Sequence, residues 1–122
     1  MALEKNILLV DDELNLSFTL AQIIKRAGYQ VTQANCAERA KQCLDSQSFN
    51  LMILDLGLPD MDGLTLLPKI HCRFPKMPVF ILTAFVTAAA KKEAIENGAC
   101  NYLLKPIDPA ELLSDIRATL GD

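Results

Sequence analysis

No two of the four cysteines (Cys36, Cys43, Cys72 and Cys100) have the Cys-x-x-Cys spacing of a zinc or redox centre. The single histidine, His71, adjoins Cys72 without a second ligand pair. The cysteines therefore read as small apolar residues, and His71 as a residue late in a helix, where a cation suits the dipole. Basic residues are nowhere clustered. With a net charge of −3 and no stripe of Lys and Arg, the chain has little to offer a nucleic-acid backbone, and no such partner is expected. No apolar stretch approaches the roughly 20 residues of a membrane span. The opening Met1-Ala2-Leu3-Glu4-Lys5-Asn6 has no signal-peptide core, so a cytoplasmic protein without membrane contact is expected. Repeats and low-complexity tracts are also missing. What remains is one domain, residues 1–122, whose 51% hydrophobic content is ample for a packed core.

Four apolar segments each stop on a residue suited to phosphoryl chemistry. Ile7-Leu8-Leu9-Val10 runs into Asp11-Asp12, Leu51-Met52-Ile53-Leu54 into Asp55, Val79-Phe80-Ile81-Leu82 into Thr83, and Tyr102-Leu103-Leu104 into Lys105-Pro106. Short runs of this kind fit buried parallel strands. Ligands of open α/β sheets bind beyond the carboxyl ends of the strands. Folding would therefore gather three carboxylates, a hydroxyl and an ammonium along one edge.

Between these segments the pattern alternates strand and helix five times. Strands are expected at about 6–10, 29–34, 50–54, 78–83 and 101–104, the second being polar enough for an edge. Helix one, about 14–27, aligns Leu16, Leu20, Ile23, Ile24 and Ala27 and stops at Gly28. Helix two, about 36–46, turns Ala37, Ala40, Cys43 and Leu44 inward behind a capping box of Asn35 and Glu38. Helix three, about 64–72, follows a Gly- and Pro-containing loop and carries Pro68, which predicts a late start or a kink. Asp60 reads as solvated in that loop and Asp62 as the helix-three cap. Helix four spans about 87–97 with Gly98 as its stop. Asp108-Pro109-Ala110-Glu111 opens helix five with an N-cap, a proline at N1 and an acid at N3. Alternating βα units predict an α/β sandwich, a (βα)5 fold with a five-stranded parallel sheet. The doubly wound, flavodoxin-like strand order 2-1-3-4-5 would set its crevice between Asp11-Asp12 and Asp55.

Three carboxylates a few ångströms apart repel one another by about 4 kcal/mol per pair at 4 Å and an effective dielectric near 20. Such a group either protonates or binds a cation. Hard oxygens with room for water suit Mg²⁺. One carboxylate can then attack phosphorus and form an acyl phosphate, with Lys105 neutralising the phosphoryl oxygens and Thr83 donating a hydroxyl.

In the acidic pair Asp11-Asp12, the run from Leu54 to Gly63, the pair Thr83-Ala84, the stretch Gly98-Ala99-Cys100-Asn101-Tyr102 and the pair Lys105-Pro106, the chain resembles the receiver domains of two-component response regulators (the CheY-like superfamily). Each motif alone is weak; their joint order and spacing are specific. Met61 to Ala84 is most similar to receivers preceding ATPase-type (NtrC-type) transcriptional activators. The resemblance implies Asp55 as phosphoacceptor, with Asp11, Asp12, Asp55 and the Gly57 carbonyl serving a Mg²⁺ or Mn²⁺ ion. It implies that Lys105 and Thr83 contact the phosphoryl group and that Thr83 and Tyr102 act as the switch. It further implies a sensor histidine kinase or phosphotransfer protein as donor, and a downstream effector domain or protein as recipient. A homodimer through helix four, strand five and helix five also belongs to that expectation. The chain would then be a signalling module that assists only its own phosphorylation and dephosphorylation.

Several residues bear on other readings. Asp11 and Glu13 are also plausible caps of helix one. A haloacid-dehalogenase-type phosphatase requires an acid two residues after its nucleophile, where this chain has Gly57. A flavodoxin-like electron carrier needs a loop rich in Ser, Thr or Gly after strand one, where this chain is acidic and would repel a flavin phosphate. A phosphorylation-independent pseudo-receiver is opposed by the intact acids and Lys105. Gly57 and Phe85, two residues after Asp55 and Thr83, cannot activate water, and Phe85 could shield the acyl phosphate; slow self-dephosphorylation is expected. The chain length suits either a stand-alone regulator or a receiver from a longer protein.

Overall fold

The apolar runs form the centre of a five-stranded parallel sheet. In the computed structural model, which describes residues 5–84 and 87–121, β1 is Asn6–Val10, β2 Gln30–Ala34, β3 Leu51–Asp55, β4 Val79–Thr83 and β5 Asn101–Leu104. Five helices alternate with them: α1 Leu14–Arg26, α2 Ala37–Ser46, α3 Gly63–Arg73, α4 Ala88–Glu96 and α5 Pro109–Leu120. The strand order is 2-1-3-4-5, as expected, with every neighbouring pair parallel. The polar β2 is an edge strand, and β3 and β4 are buried along their whole length.

Strand alternation divides the core in two. Ile7, Leu9, Ile53, Phe80, Leu82 and Leu103 pack against α1 and α5, joined by Leu20, Ile24, Leu112 and Ile116. Leu8, Val10, Met52, Leu54, Val79 and Ile81 face α2, α3 and α4. Each fully buried aliphatic side chain contributes about 1.5–3 kcal/mol.

The helix signals hold at most ends and fail at informative ones. Gly28 and Gly98 follow α1 and α4 at φ 105° and 107°, a conformation that favours glycine. Asp108 caps α5 through Ala110 N–H with Pro109 in the first turn, and Asp62 caps α3 through Leu64 N–H. The Asn35–Glu38 capping box does not form: Cys36 is the N-cap of α2, its Sγ accepting from Arg39 N–H at 3.4 Å. Nor does Pro68 delay α3, which starts at Gly63 and runs through the proline. Of the four cysteines only Cys43 is buried; Cys36 is intermediate and Cys72 and Cys100 are exposed. No helix among the described residues is long and apolar enough to cross a membrane. Phe85 and Val86, which bear on the expected shielding of the phosphoryl group and on the start of helix four, lie outside the described residues.

Candidate phosphoacceptor site

Register levels the acids. Val10 pairs with Leu54, so the next residues, Asp11 and Asp55, stand side by side at the carboxyl ends of β1 and β3. Asp55 pairs with Leu82 and Thr83 with Leu104, which sets Thr83 one step and Lys105 two steps further along the edge. Alternation points Asp11, Asp55 and Lys105 to the α1–α5 side, while Thr83 and Tyr102 fall on the α4 side. Sequence spacing brings the residues to one edge; the pleat sorts them by face.

Asp11, Asp12 and Asp55 each offer an oxygen within 4.8 Å of the others, with Asp11 and Asp55 buried and Asp12 exposed. The Lys105 ammonium lies 3.2 Å from Asp55 Oδ2, 3.0 Å from Asp11 Oδ2 and 2.9 Å from Glu13 Oε1. The first and last of these are hydrogen bonds. Asp11 Oδ2 is at ion-pair distance but, although buried, has no hydrogen-bond partner among the described residues. Its other oxygen accepts from Glu13 N–H at 2.9 Å. Burial raises the Asp11 carboxyl above its ordinary pKa; the Glu13 amide and Lys105 oppose this, and the Asp55 charge adds to it. Burial alone would lower Lys105. The Glu13 hydrogen bond and the Asp11 and Asp55 charges outweigh it and hold the ammonium well above the usual lysine range.

The loop after β3 is folded back on Asp55. Gly57 N–H donates to Asp55 Oδ1 at 3.1 Å, Gly57 and Asp62 form an isolated bridge, and Gly63 N–H reaches the Leu56 carbonyl at 2.9 Å. A Cβ at Gly63 would lie 2.7 Å from Leu56 Cα and 2.8 Å from the Asp55 carbonyl oxygen. Only glycine allows α3 to start this close to the Asp55 backbone. Asp60, expected to be merely solvated, is instead an anchor. Its two oxygens accept from the Ala37 and Glu38 amides at 2.8 and 3.0 Å, capping α2 from another loop. Those amides lower its pKa. Glu13 was legible only as a cap, yet its side chain makes no cap hydrogen bond.

Thr83 is fully buried and Tyr102 is half-buried against the α2–α3–α4 side of the core. Burial also raises the Tyr102 phenol. Two grooves flank Tyr102 and the exposed Leu104. One, of about 280 Å³, is shared with Thr87, Ala88 and Lys91 of the α4 start; the other, of about 380 Å³, with Pro106, Ile107, Asp108 and Glu111.

The 2-1-3-4-5 sheet carries paired acids at its β1/β3 switch point and a lysine after β5, and the family model of the response regulator receiver domain matches residues 7–117. The chain belongs to the response regulator receiver family. Among its relatives, the transcriptional regulatory protein GltR of Pseudomonas aeruginosa is 40% identical over 118 residues, covering 95% of this chain and 49% of GltR. The transcriptional regulatory protein ZraR of Escherichia coli, an NtrC-type regulator, is 34% identical over 115 residues, 94% of this chain and 25% of ZraR. The chain thus spans from a quarter to a half of these relatives. A CheY-like receiver domain protein of Methanospirillum hungatei superposes with a TM-score of 0.94 at 33% identity, over 98% of this chain and 95% of that one.

Proposed function

We propose that this receiver, over residues 1–122, accepts a phosphoryl group on Asp55 from a sensor histidine kinase or phosphotransfer protein, and signals through α4, β5 and α5. The observation that carries this is the Asp55 carboxylate: buried, level with Asp11, and hydrogen-bonded to the Lys105 ammonium. An Asp55 oxygen attacks phosphorus; the bond from phosphorus to the donor's nitrogen or oxygen breaks, and its electron pair leaves with the donor. Lys105 then pairs with the phosphoryl oxygens and Thr83 donates its hydroxyl to one of them. The protein acts as a signalling module rather than as an enzyme on other substrates.

The acidic group fits a divalent cation. Three hard oxygens converge, and the buried Asp11 Oδ2 lacks a hydrogen-bond donor among the described residues. Asp11, Asp12, Asp55 and the Gly57 carbonyl would hold Mg²⁺ or Mn²⁺. When bound, such an ion neutralises carboxylate and phosphoryl charge.

Phosphorylation adds about −1.5 to −2 charge at Asp55. Drawing Thr83 toward it would vacate space on the α4 side, which the Tyr102 ring can fill. Inverting a 1:99 equilibrium needs about 5.5 kcal/mol, whereas one charge-assisted hydrogen bond supplies about 1.5–3 kcal/mol. The shift is therefore partial, and an effector or a second copy on the α4–β5–α5 surface completes it.

Intact mass after acetyl phosphate and Mg²⁺ treatment should show one added phosphate, absent in Asp55→Asn and in excess chelator. Equal labelling in either control sinks the assignment. Backbone NMR with beryllofluoride should show shifts at residues 87–105 that Thr83→Ala removes; shifts confined to Asp55, or unchanged in that variant, sink the coupling.

A further inference from the structure

Glu13 occupies the N-cap position of α1, yet its carboxylate caps nothing, and the first turn has no acid of its own. A carboxylate there would ordinarily accept from an amide of that turn. Instead it reaches Lys105, distant in sequence, at 2.9 Å. The lysine side chain is only 10% exposed and its other two partners are buried, whereas the Glu13 side chain is 60% exposed. Three carboxylates thus share one ammonium with three N–H donors. Asp11 and Asp55 are also candidate cation ligands; Glu13 stands outside that group. A cation drawing on Asp11 and Asp55 leaves Glu13 as the anion still holding Lys105. An incoming phosphoryl group needs the same ammonium.

On the phosphoacceptor reading above, on which this inference rests, we propose that Glu13 is a positioning residue. Its carboxylate holds Lys105 at the rim of the acidic pocket in the resting domain, and phosphoryl capture requires Lys105 to exchange that bond for one to a phosphoryl oxygen. Two opposed effects follow. Sharing the ammonium with Glu13 loosens its hold on Asp11 and Asp55 and leaves both more available to a cation, and the rim charge favours that cation. The same bond resists phosphoryl capture. A residue that only supported α1 would move both quantities in one direction.

The test compares the protein with Glu13→Gln, which keeps size and removes charge, and Glu13→Asp, which keeps charge but is one methylene too short. In metal-free protein, the Lys105 side-chain 13Cε and 1Hε resonances should shift in both variants. Magnesium affinity should fall about two- to fivefold in Glu13→Gln, the range for a partly exposed ion pair, and by less in Glu13→Asp, which keeps the rim charge but loses the contact with Lys105. At saturating Mg²⁺, beryllofluoride affinity and the initial rate of acetyl phosphate labelling should rise by a similar factor in both. Lys105 resonances that do not move in Glu13→Gln, or magnesium and beryllofluoride affinities that fall together, overturn the proposal. So does a Glu13→Asp protein identical to wild type in all three readouts, because charge without contact would then suffice. Wild-type protein that takes no label overturns the phosphoacceptor reading itself, and with it the exchange. That differs from labelled wild type with unmoved Lys105 resonances, which removes Glu13 alone.

Discussion

At the β1–β3 end of the sheet edge, side chains are held by short contacts, with Lys105 reaching across to them from the end of β5; beside β4 and β5, α4 packs through few buried side chains. Lys105 pairs with three carboxylates, Asp60 ties its loop to α2, and Gly63 seats α3 directly on the Asp55 backbone. By contrast, α4 buries only Ala94 where α3 buries Gly63, Leu66, Leu67 and Ile70. Ile95 of α4 is exposed, and grooves open on both sides of Tyr102 and Leu104. Chemistry on an anion gains from donors that need no reorganisation. A response has the opposite need, an element with few buried contacts to lose. One edge meets both requirements by placing them on different strands.

The largest expected effect that could break this contrast is at Lys105. Lys105→Met should slow acetyl phosphate labelling by about a hundredfold or more without weakening Mg²⁺ binding, because the competing cation is gone. Weakened metal binding would show that Lys105 builds the pocket rather than serving the phosphoryl group. Packing supplies the next test. Leu67→Ala on α3 should destabilise by about 2–5 kcal/mol, and Ile95→Ala on α4 by less than about 0.5 kcal/mol, both read from urea unfolding. Similar losses would erase the distinction between the two ends.

Gly63→Ala sharpens the comparison within the fixed end. The new methyl meets backbone atoms that cannot swing aside, so a loss of about 1–3 kcal/mol is expected, with slower labelling at Asp55. Normal labelling in a destabilised variant would separate the α3 seat from the chemistry. The smallest effect concerns acid. Asp60 has its pKa lowered by the α2 amides, so its contribution is complete above the ordinary carboxylate pKa and is lost as pH falls through the lower folded value. Urea midpoints should therefore converge between wild type and Asp60→Ala as pH drops below about 4. A gap that persists at low pH rules out the charged cap.

Much of this could be read from the residues. The apolar runs announced the strands, the residue after each run announced the edge site, and Gly28, Gly98, Asp62 and Asp108 marked helix ends. These are local signals: a buried strand needs apolar side chains whatever its neighbours, and a helix end needs a cap or a positive φ. The slip at Asn35 shows where such reasoning stops, since the donors at the start of α2 are satisfied by Asp60, whose loop comes near only after folding.

What the chain determined by itself was therefore the set of elements, their parallel order as the attractive arrangement, and the identity of the chemical groups at the edge. Tertiary structure alone decided which groups share a partner. The register of β1 on β3 set Asp11 level with Asp55. The pleat turned Thr83 and Tyr102 to the face opposite Lys105. The approach of β5 to the start of α1 gave Glu13 an ammonium in place of a helix end. Hydrogen bonds and ion pairs act over about 3 Å, and no local pattern of residues carries information at that range across 92 residues of chain.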